Sequence, residues 1–414
     1  MKNRVFIGSL SVVIAAILWS LDGTFLRPQL FSLPSPLVVF LEHSLGLVIL
    51  LPLLFKYRQQ IKNINKKTYL AIFWVALFGG ALGTTFMTKA LFLTGFKDIS
   101  VVILLQKLQP IFAIGLAAIF LRERFPRVVY LHSFIAIAAG YFVTFSNPWT
   151  INNLKTATAL TALYSLLAAF SWGSSTTFGK YSLKNIPFGL LAVLRFLFTV
   201  LIMIVPVLYL YSSKFSSVSN TQWTTLAVIV FSSGAAAMYL YYFGLTKISA
   251  SLATLCELAW PVSAIFFDYI LNHNILAPSQ LIATIILILA VYKITKLNQS
   301  FTIVGKVVSG QNLGNKLGAA TANLDVKLAK KIPKGLYKAE IIIENKKYSG
   351  LLYYGYNSLS KIDCLEVHLF NFSEQIYNND IEVATNQYIR PPKKYSDHEK
   401  LKEQIKKDIL LSKI

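Results

Sequence analysis

The chain reads as an all-α membrane bundle of ten transmembrane helices, arranged as two inverted five-helix repeats, followed by a small β domain closed by a terminal helix. Three observations predict this. Almost three hundred residues of apolar runs end near Leu297; the hundred or so beyond alternate polar with apolar residues and are rich in Lys; and the apolar part matches itself when slid by about 150 residues. The 414 residues are 55% apolar, above the usual globular share, and the excess lies before residue 298. A net charge of +22 raises nucleic acid as a partner, but 22 basic and 6 acidic residues precede residue 300, mostly in short loops between apolar runs. That distribution is a membrane topology signal and excludes a nucleic-acid footprint. With only Cys256 and Cys364 there is no disulfide framework, and the β domain suits a reducing compartment.

A bilayer core takes about 20 apolar residues per helix. Ten such runs follow in order: 5–26, 35–55, 69–89, 100–121, 127–146, 156–178, 187–211, 222–244, 249–271 and 277–297. The first is long, has no small-residue cleavage site and is followed by more runs, so it reads as a retained helix and not a signal peptide. An inside N-terminus puts Lys56, Arg58, Lys62, Lys66, Lys67, Arg122, Arg124, Arg127, Lys180, Lys184 and Lys247 on one side. The opposite loops then hold only Arg27, Lys97, Lys155 and Lys214. The positive-inside rule therefore predicts a multi-pass protein of the cell membrane with both termini and the β domain in the cytoplasm.

Self-similarity sets Trp19 on Trp172, Phe25 on Phe178, and QKLQPIFAIGLAAIFLRERFP (106–126) near CELAWPVSAIFFDYILNHNILAP (256–278). Five helices per copy is odd, so the copies, 1–148 and 149–298, must run in opposite senses, an arrangement that puts a solute path at the midplane between them. Charges within a span are costly and point to function. Lys107 and Glu257 lie one turn before Pro110 and Pro261 at nearly equivalent repeat positions, and are read as lining one central cavity. Glu42 and Arg195, offset by 153, form a second pair that is either pathway or an ion pair locking the halves. Asp22, Lys89 and Asp268 sit near span ends and are expected to snorkel to water. His43 is expected to be a hydrogen-bonded packing residue, and His132 and His273 to be bland.

On the two Trp residues, the Pro110 and Pro261 helices and Glu123, thirteen residues after Pro110, residues 5–297 resemble the EamA-type drug/metabolite transporters. The second half departs with Asn274 in place of the Glu, and the first half has Glu42-His43 where the family usually shows an Arg such as Arg195. The resemblance implies a secondary carrier of small metabolites.

From Phe301 the period changes. Leu336–Glu344 and Tyr348–Tyr354 read as strands around an Asn345-Lys346-Lys347 turn, and Cys364–Phe372 alternates, with Leu365, Val367 and Leu369 on one face and Glu366 and His368 on the other. Ser396 with Glu399 makes a capping box ahead of Leu401, Ile405 and Ile409, a terminal amphipathic helix. The Gly-rich run suits phosphate: Gly305, Gly310, Gly314 and Gly318 allow close backbone approach, and Thr321 and Asn323 supply hard oxygens.

Residues 301–414 resemble bacterial riboflavin kinase through GKVVSGQNLGNKLGAATANL, IPKGLY, EVHLFNF, IYNNDIEV, YIRPP and LKEQIKKDI, in that order. The resemblance implies a six-stranded β-barrel domain, here 299–414, that moves the γ-phosphate of ATP to the terminal ribityl hydroxyl of riboflavin, giving FMN. Carried over by position, Thr321 and Asn323 hold Mg²⁺ and phosphate, and Glu366 is the general base. The Gly-rich loop with Lys316 covers the nucleotide, and Arg390 and the terminal helix lie near the flavin. Asn315, Ala319-Ala320, Ser358-Leu359 and Asn378 stand where the family usually has Arg, Phe-Pro, Pro-Thr and Gly, so a head that binds flavin or nucleotide without catalysis is the alternative. The combined expectation is a membrane carrier of riboflavin or a close flavin joined to a riboflavin kinase. Its partners are the lipid bilayer, riboflavin/FMN and ATP/ADP, with no nucleic acid and with room for a homodimer. The runner-up is a carrier of another metabolite regulated by a sensing head.

Overall fold

The computed structural model describes residues 2–95, 102, 105–106, 108–123, 125–144, 159–272, 277–297, 301–308, 321–325, 333–344, 346–356, 363–372, 374–393 and 398–413. Lys107, His273, Asn274, Gly310, Gly314, Asn315, Lys316, Gly318, Ala319, Ala320, Ser358, Leu359 and Ser396 lie outside the described residues. The chain forms two compact units: Phe6–Arg122 with His132–Thr295, and Met1–Val5 with Glu123–Leu131 and Lys296–Ile414.

Each of the ten apolar runs contains a helix. Among the described residues, five helices are long and apolar enough by themselves to cross a bilayer: Arg4–Leu30, Ser35–Lys56, Lys66–Leu93, Phe188–Ser217 and Asn220–Lys247. Gln109–Leu121, Arg127–Ala139 and Pro278–Ile294 are shorter apolar helices. Ala159–Ser182 contains eight Ser and Thr and one Lys, which lowers its apolarity, and the run at 249–271 is split into Ala250–Cys256 and Ala259–Asn272. Helix starts follow capping chemistry. Asn65 Oδ1 accepts from the Thr68 amide at 2.8 Å, and Ser219 and Gln222 form a capping box. Small residues allow close crossings: a Cβ added to Gly8 would stand 2.7 Å from Lys247 Cβ, and one on Gly244 would stand 2.7 Å from the Gly8 carbonyl.

Four helices carry π-helical turns, at Asp22–Leu26, Val75–Leu82, Ala117–Leu121 and Val230–Gly234. Such turns leave backbone carbonyls short of a partner and recur at functional sites. The first changes the expected topology. The opening helix does not end at residue 26; the chain continues through the π turn into a 3₁₀ turn, Arg27–Leu30, and this brings Arg27 inward.

The head is a closed antiparallel barrel of β1 (Thr302–Val308), β2 (Thr321–Asp325), β3 (Gly335–Ile343), β4 (Lys346–Tyr356), β5 (Asp363–Leu369) and β6 (Asp380–Arg390), followed by the helix His398–Lys413. Around the barrel the order is β1-β2-β5-β4-β3-β6. Closure leaves no sheet edge, and alternate residues fill the middle, among them Ile303, Val307, Ile341, Leu352, Val367 and Val383. The β3–β4 hairpin is tighter than expected. Ile343 already pairs with Lys346, so the chain reverses between them, with Glu344 at φ 46°, the left-handed geometry that two-residue hairpin turns demand.

Candidate functional site

The membrane body encloses a cavity of ≈160 Å³. Glu42, Arg195 and Glu257, three of the four pathway residues expected from sequence, line it. The fourth, Lys107, lies outside the described residues. Trp19, Trp172 and Trp260 also line it, so the Trp pair that marked the repeat ends up facing one space.

The polar groups are not paired as the sequence suggested. Glu42 accepts from Arg27 Nη2 at 3.1 Å, and the same nitrogen donates to Asp22 Oδ2 at 2.6 Å, while Arg27 Nη1 donates to Thr88 Oγ1 at 3.0 Å. Asp22 and Arg27 are buried at 7% and 6% exposure, so the expectation that one snorkels and the other occupies a loop is corrected. A cation between two carboxylates is how such charges survive burial. Arg195 instead donates from Nη2 to the Gly79 carbonyl at 2.7 Å, a group inside the π-helical stretch, and from Nη1 to the Met238 sulfur.

Glu257 sits at the break between Ala250–Cys256 and Ala259–Asn272. Its Oε2 accepts from Gln109 Nε2 at 2.6 Å and its Oε1 from the Tyr241 hydroxyl at 3.0 Å, and that hydroxyl lies 2.7 Å from Thr176 Oγ1. Gln106 Nε2 donates to Gln109 Oε1 at 2.8 Å, so a polar chain joins the segment around Pro110 to that around Pro261. Interrupted helices meeting in this way at the interface of two repeats are where carriers place their ligand sites. Gln109, Tyr241 and Arg27 were missed from sequence. Gln109 had a signal, being the residue before Pro110 in a motif already singled out. His43 Nδ1 donates to the Val39 carbonyl at 2.8 Å, as a packing residue should.

In the head, strand register assembles a polar patch. Asn323 pairs with Glu366 and Thr321 with His368, so all four side chains share one face of β2 and β5. Ala322, Leu324, Leu365 and Val367 take the opposite, core-facing positions. Glu366 also pairs with Tyr353 on β4. Half-buried Cys364 lies two residues from Glu366 and donates weakly to the Gly355 carbonyl at 3.4 Å. Burial, with Glu366 beside it, pushes its thiol up to about 12, so it stays protonated and unreactive. Tyr353 is likewise pushed up to about 12, first by burial and then by Cys364 and Glu366. Hydroxyl and amide oxygens beside a carboxylate are a hard donor set suited to a divalent cation that keeps phosphate oxygens as its other ligands. Among the described residues no group of three His, Cys, Asp or Glu forms a cage of its own.

Gly305 falls inside β1, opposite Ile381, on the core-facing register and not in a loop. Arg390, at the end of β6, is engaged by the terminal helix: its Nε lies 3.0 Å from both Asp408 oxygens and its Nη2 2.6 Å from Oδ2. Gln404 Nε2 donates to the same carboxylate at 2.8 Å.

The EamA-like transporter family model matches residues 6–145 and again 159–296. The chain belongs to the EamA-like transporter family. It is a multi-pass membrane protein, and residues 297–413 form a riboflavin kinase domain by match to that family's model. This EamA-like chain is 44% identical over 295 residues to the riboflavin transporter ImpX of Fusobacterium nucleatum, covering 70% of the chain and 98% of the relative. Its head is 40% identical over 122 residues to the bifunctional riboflavin kinase/FMN adenylyltransferase of Buchnera aphidicola, 28% of the chain and 39% of that enzyme. It is 36% identical over 112 residues to the RNA-binding riboflavin kinase RibR of Bacillus subtilis, 26% of the chain and 47% of the relative. The chain thus spans less than half of the length of these kinase relatives. One solved crystal structure superposes with a TM-score of 0.55 at 14% identity over 72% of this chain and 98% of that one, which shows a shared fold.

Proposed function

We propose that the membrane body admits riboflavin, or a close flavin, and that the head phosphorylates it to FMN with ATP and Mg²⁺. The reading of the body is supported by the 44% identity that runs the full length of a riboflavin transporter, together with a Trp-lined cavity suited to a flat aromatic ring. The observation that carries the kinase reading is the register that sets Glu366 opposite Asn323, with Thr321 one pair along.

In this mechanism Glu366 accepts the proton of the terminal ribityl hydroxyl as its oxygen attacks the γ-phosphorus, and ADP leaves. Thr321 and Asn323 would hold the divalent ion, which when bound would supply positive charge to offset that of the transferring phosphate. The core-facing residues 322, 324, 365 and 367 fix β2 against β5, so the spacing between the oxygen donors and the base is set by a packed barrel. The Gly-rich loop, Gly310, Gly314, Lys316 and Gly318, is assigned to the nucleotide. Glu42, Arg195, Glu257 and Lys107 are assigned to the pathway. Arg390 is assigned an indirect part, positioning the terminal helix beside the flavin.

Both termini and the head are assigned to the cytoplasm. With Arg27 buried inside the body, the loops opposite retain only Lys97, Lys155 and Lys214 as basic residues, which sharpens the asymmetry. Most of the basic excess lies before residue 300, and no nucleic-acid role is assigned to the head despite its RNA-binding relative.

The test is the purified full chain with riboflavin, ATP and Mg²⁺. FMN formation that Ca²⁺ fails to support is expected. Flavin binding with no FMN under any divalent ion would turn the head from catalyst into sensor.

A further inference from the structure

We infer that Arg195 is the specificity-determining anchor of the cavity, and that it takes the carbonyl edge of the isoalloxazine ring and not the ribityl chain or a phosphate. This rests on the reading of the body as a flavin carrier. Two guanidiniums line the cavity in unlike settings. Arg27 lies between two carboxylates, whereas Arg195, 5% exposed, has uncharged neighbours: the Gly79 carbonyl, the Met238 sulfur and the hydroxyl of fully buried Tyr242. Among the described residues no carboxylate oxygen comes within 4.0 Å of Arg195, and its buried Nε has no hydrogen-bond partner. Glu42, its expected partner, is spent on Arg27.

A guanidinium has five donors and accepts nothing, and a thioether is a weak acceptor, so Arg195 holds unspent donors and an unneutralised charge. Burying such a cation is costly unless something electron-rich completes it. The matching group on a flavin is the pyrimidine edge, where carbonyl oxygens and ring nitrogens are acceptors in one plane. A planar donor meets a planar acceptor edge there, while Trp19, Trp172 and Trp260 supply faces for the rest of the ring. A doubly charged phosphate fits the same cavity poorly, because Asp22, Glu42 and Glu257 also line it.

The full chain, expressed in a host lacking riboflavin uptake, is assayed by initial entry of labelled riboflavin against three competitors: lumiflavin (the ring without the chain), ribitol (the chain without the ring) and FMN. Lumiflavin is expected to compete within a few-fold of unlabelled riboflavin, and ribitol and FMN are not. Arg195→Gln is expected to raise the riboflavin KM and the lumiflavin inhibition constant about tenfold or more with Vmax largely kept, the size of losing a charge-assisted hydrogen bond. Arg195→Lys restores only part of this.

A binding arm uses purified protein. All six Trp precede residue 300, so tryptophan quenching by lumiflavin, compared between wild type and Arg195→Gln, isolates the body. Unchanged KM and quenching in Arg195→Gln, or competition by ribitol or FMN in place of lumiflavin, overturns the anchor. The competitor series needs no variant, so it decides even where Arg195→Gln fails to fold. Arg195-dependent quenching without riboflavin entry in the wild type overturns the transport reading and leaves the anchor standing.

Discussion

At the residue scale, the proposed base Glu366 stands where β2 and β5 put a carboxylate and two oxygen donors on one face while their alternate residues fill the barrel. Glu366→Gln keeps the shape and removes the base. It is expected to lower the FMN-forming kcat about 100-fold or more, with riboflavin binding retained. Its neighbours make a second prediction. Cys364 and Tyr353 both hold their protons more tightly folded than unfolded, with pKa raised to about 12 from ordinary values of 9.0 and 10.0. A raised folded-state pKa gives stability that is complete below the unfolded value and is lost as pH rises through the folded one. The head is therefore expected to weaken progressively between about pH 9 and 12, and Cys364→Ser to flatten the lower part of that loss, in denaturant unfolding of the full chain followed across pH.

The terminal helix shows the element scale. Its apolar positions at Leu401, Ile405 and Ile409 were legible, but the group that fixes it is Asp408, buried at 3% against Arg390. Asp408→Ala leaves a guanidinium buried without its carboxylate and is expected to cost roughly 3 kcal/mol, read as a shift in the head's unfolding midpoint. The reason this pair escaped the sequence is general. Periodicity reports which face is apolar, whereas a polar partner inside that face is specified by three-dimensional proximity. The same holds in the body. Trp19 and Trp172 could be matched because a repeat preserves spacing, but Arg27 looked like a loop charge because nothing in the sequence announces a π turn that carries the helix past residue 26. Barrel strands were legible through Leu365, Val367 and Leu369, where alternation and burial coincide. The hairpin turn was misplaced because Lys346 and Lys347, polar on an exposed strand end, read as turn residues.

At the scale of the whole molecule, the chain joins an EamA-like carrier to a riboflavin kinase domain, and one consequence follows from charge alone. A carrier that only equilibrates a neutral solute cannot accumulate it, whereas a phosphorylated flavin carries charge that a bilayer strongly opposes. With the head on the inner face, as proposed, phosphorylation would make entry one-way without requiring a coupling ion. The most direct measurement is labelled flavin inside cells expressing the wild type or Glu366→Gln, with riboflavin and FMN separated. The wild type is expected to accumulate label as FMN well above the external concentration, and Glu366→Gln to admit riboflavin at a similar initial rate but stop at the external concentration. Accumulation by Glu366→Gln equal to the wild type, or no riboflavin entry through either, would contradict the account.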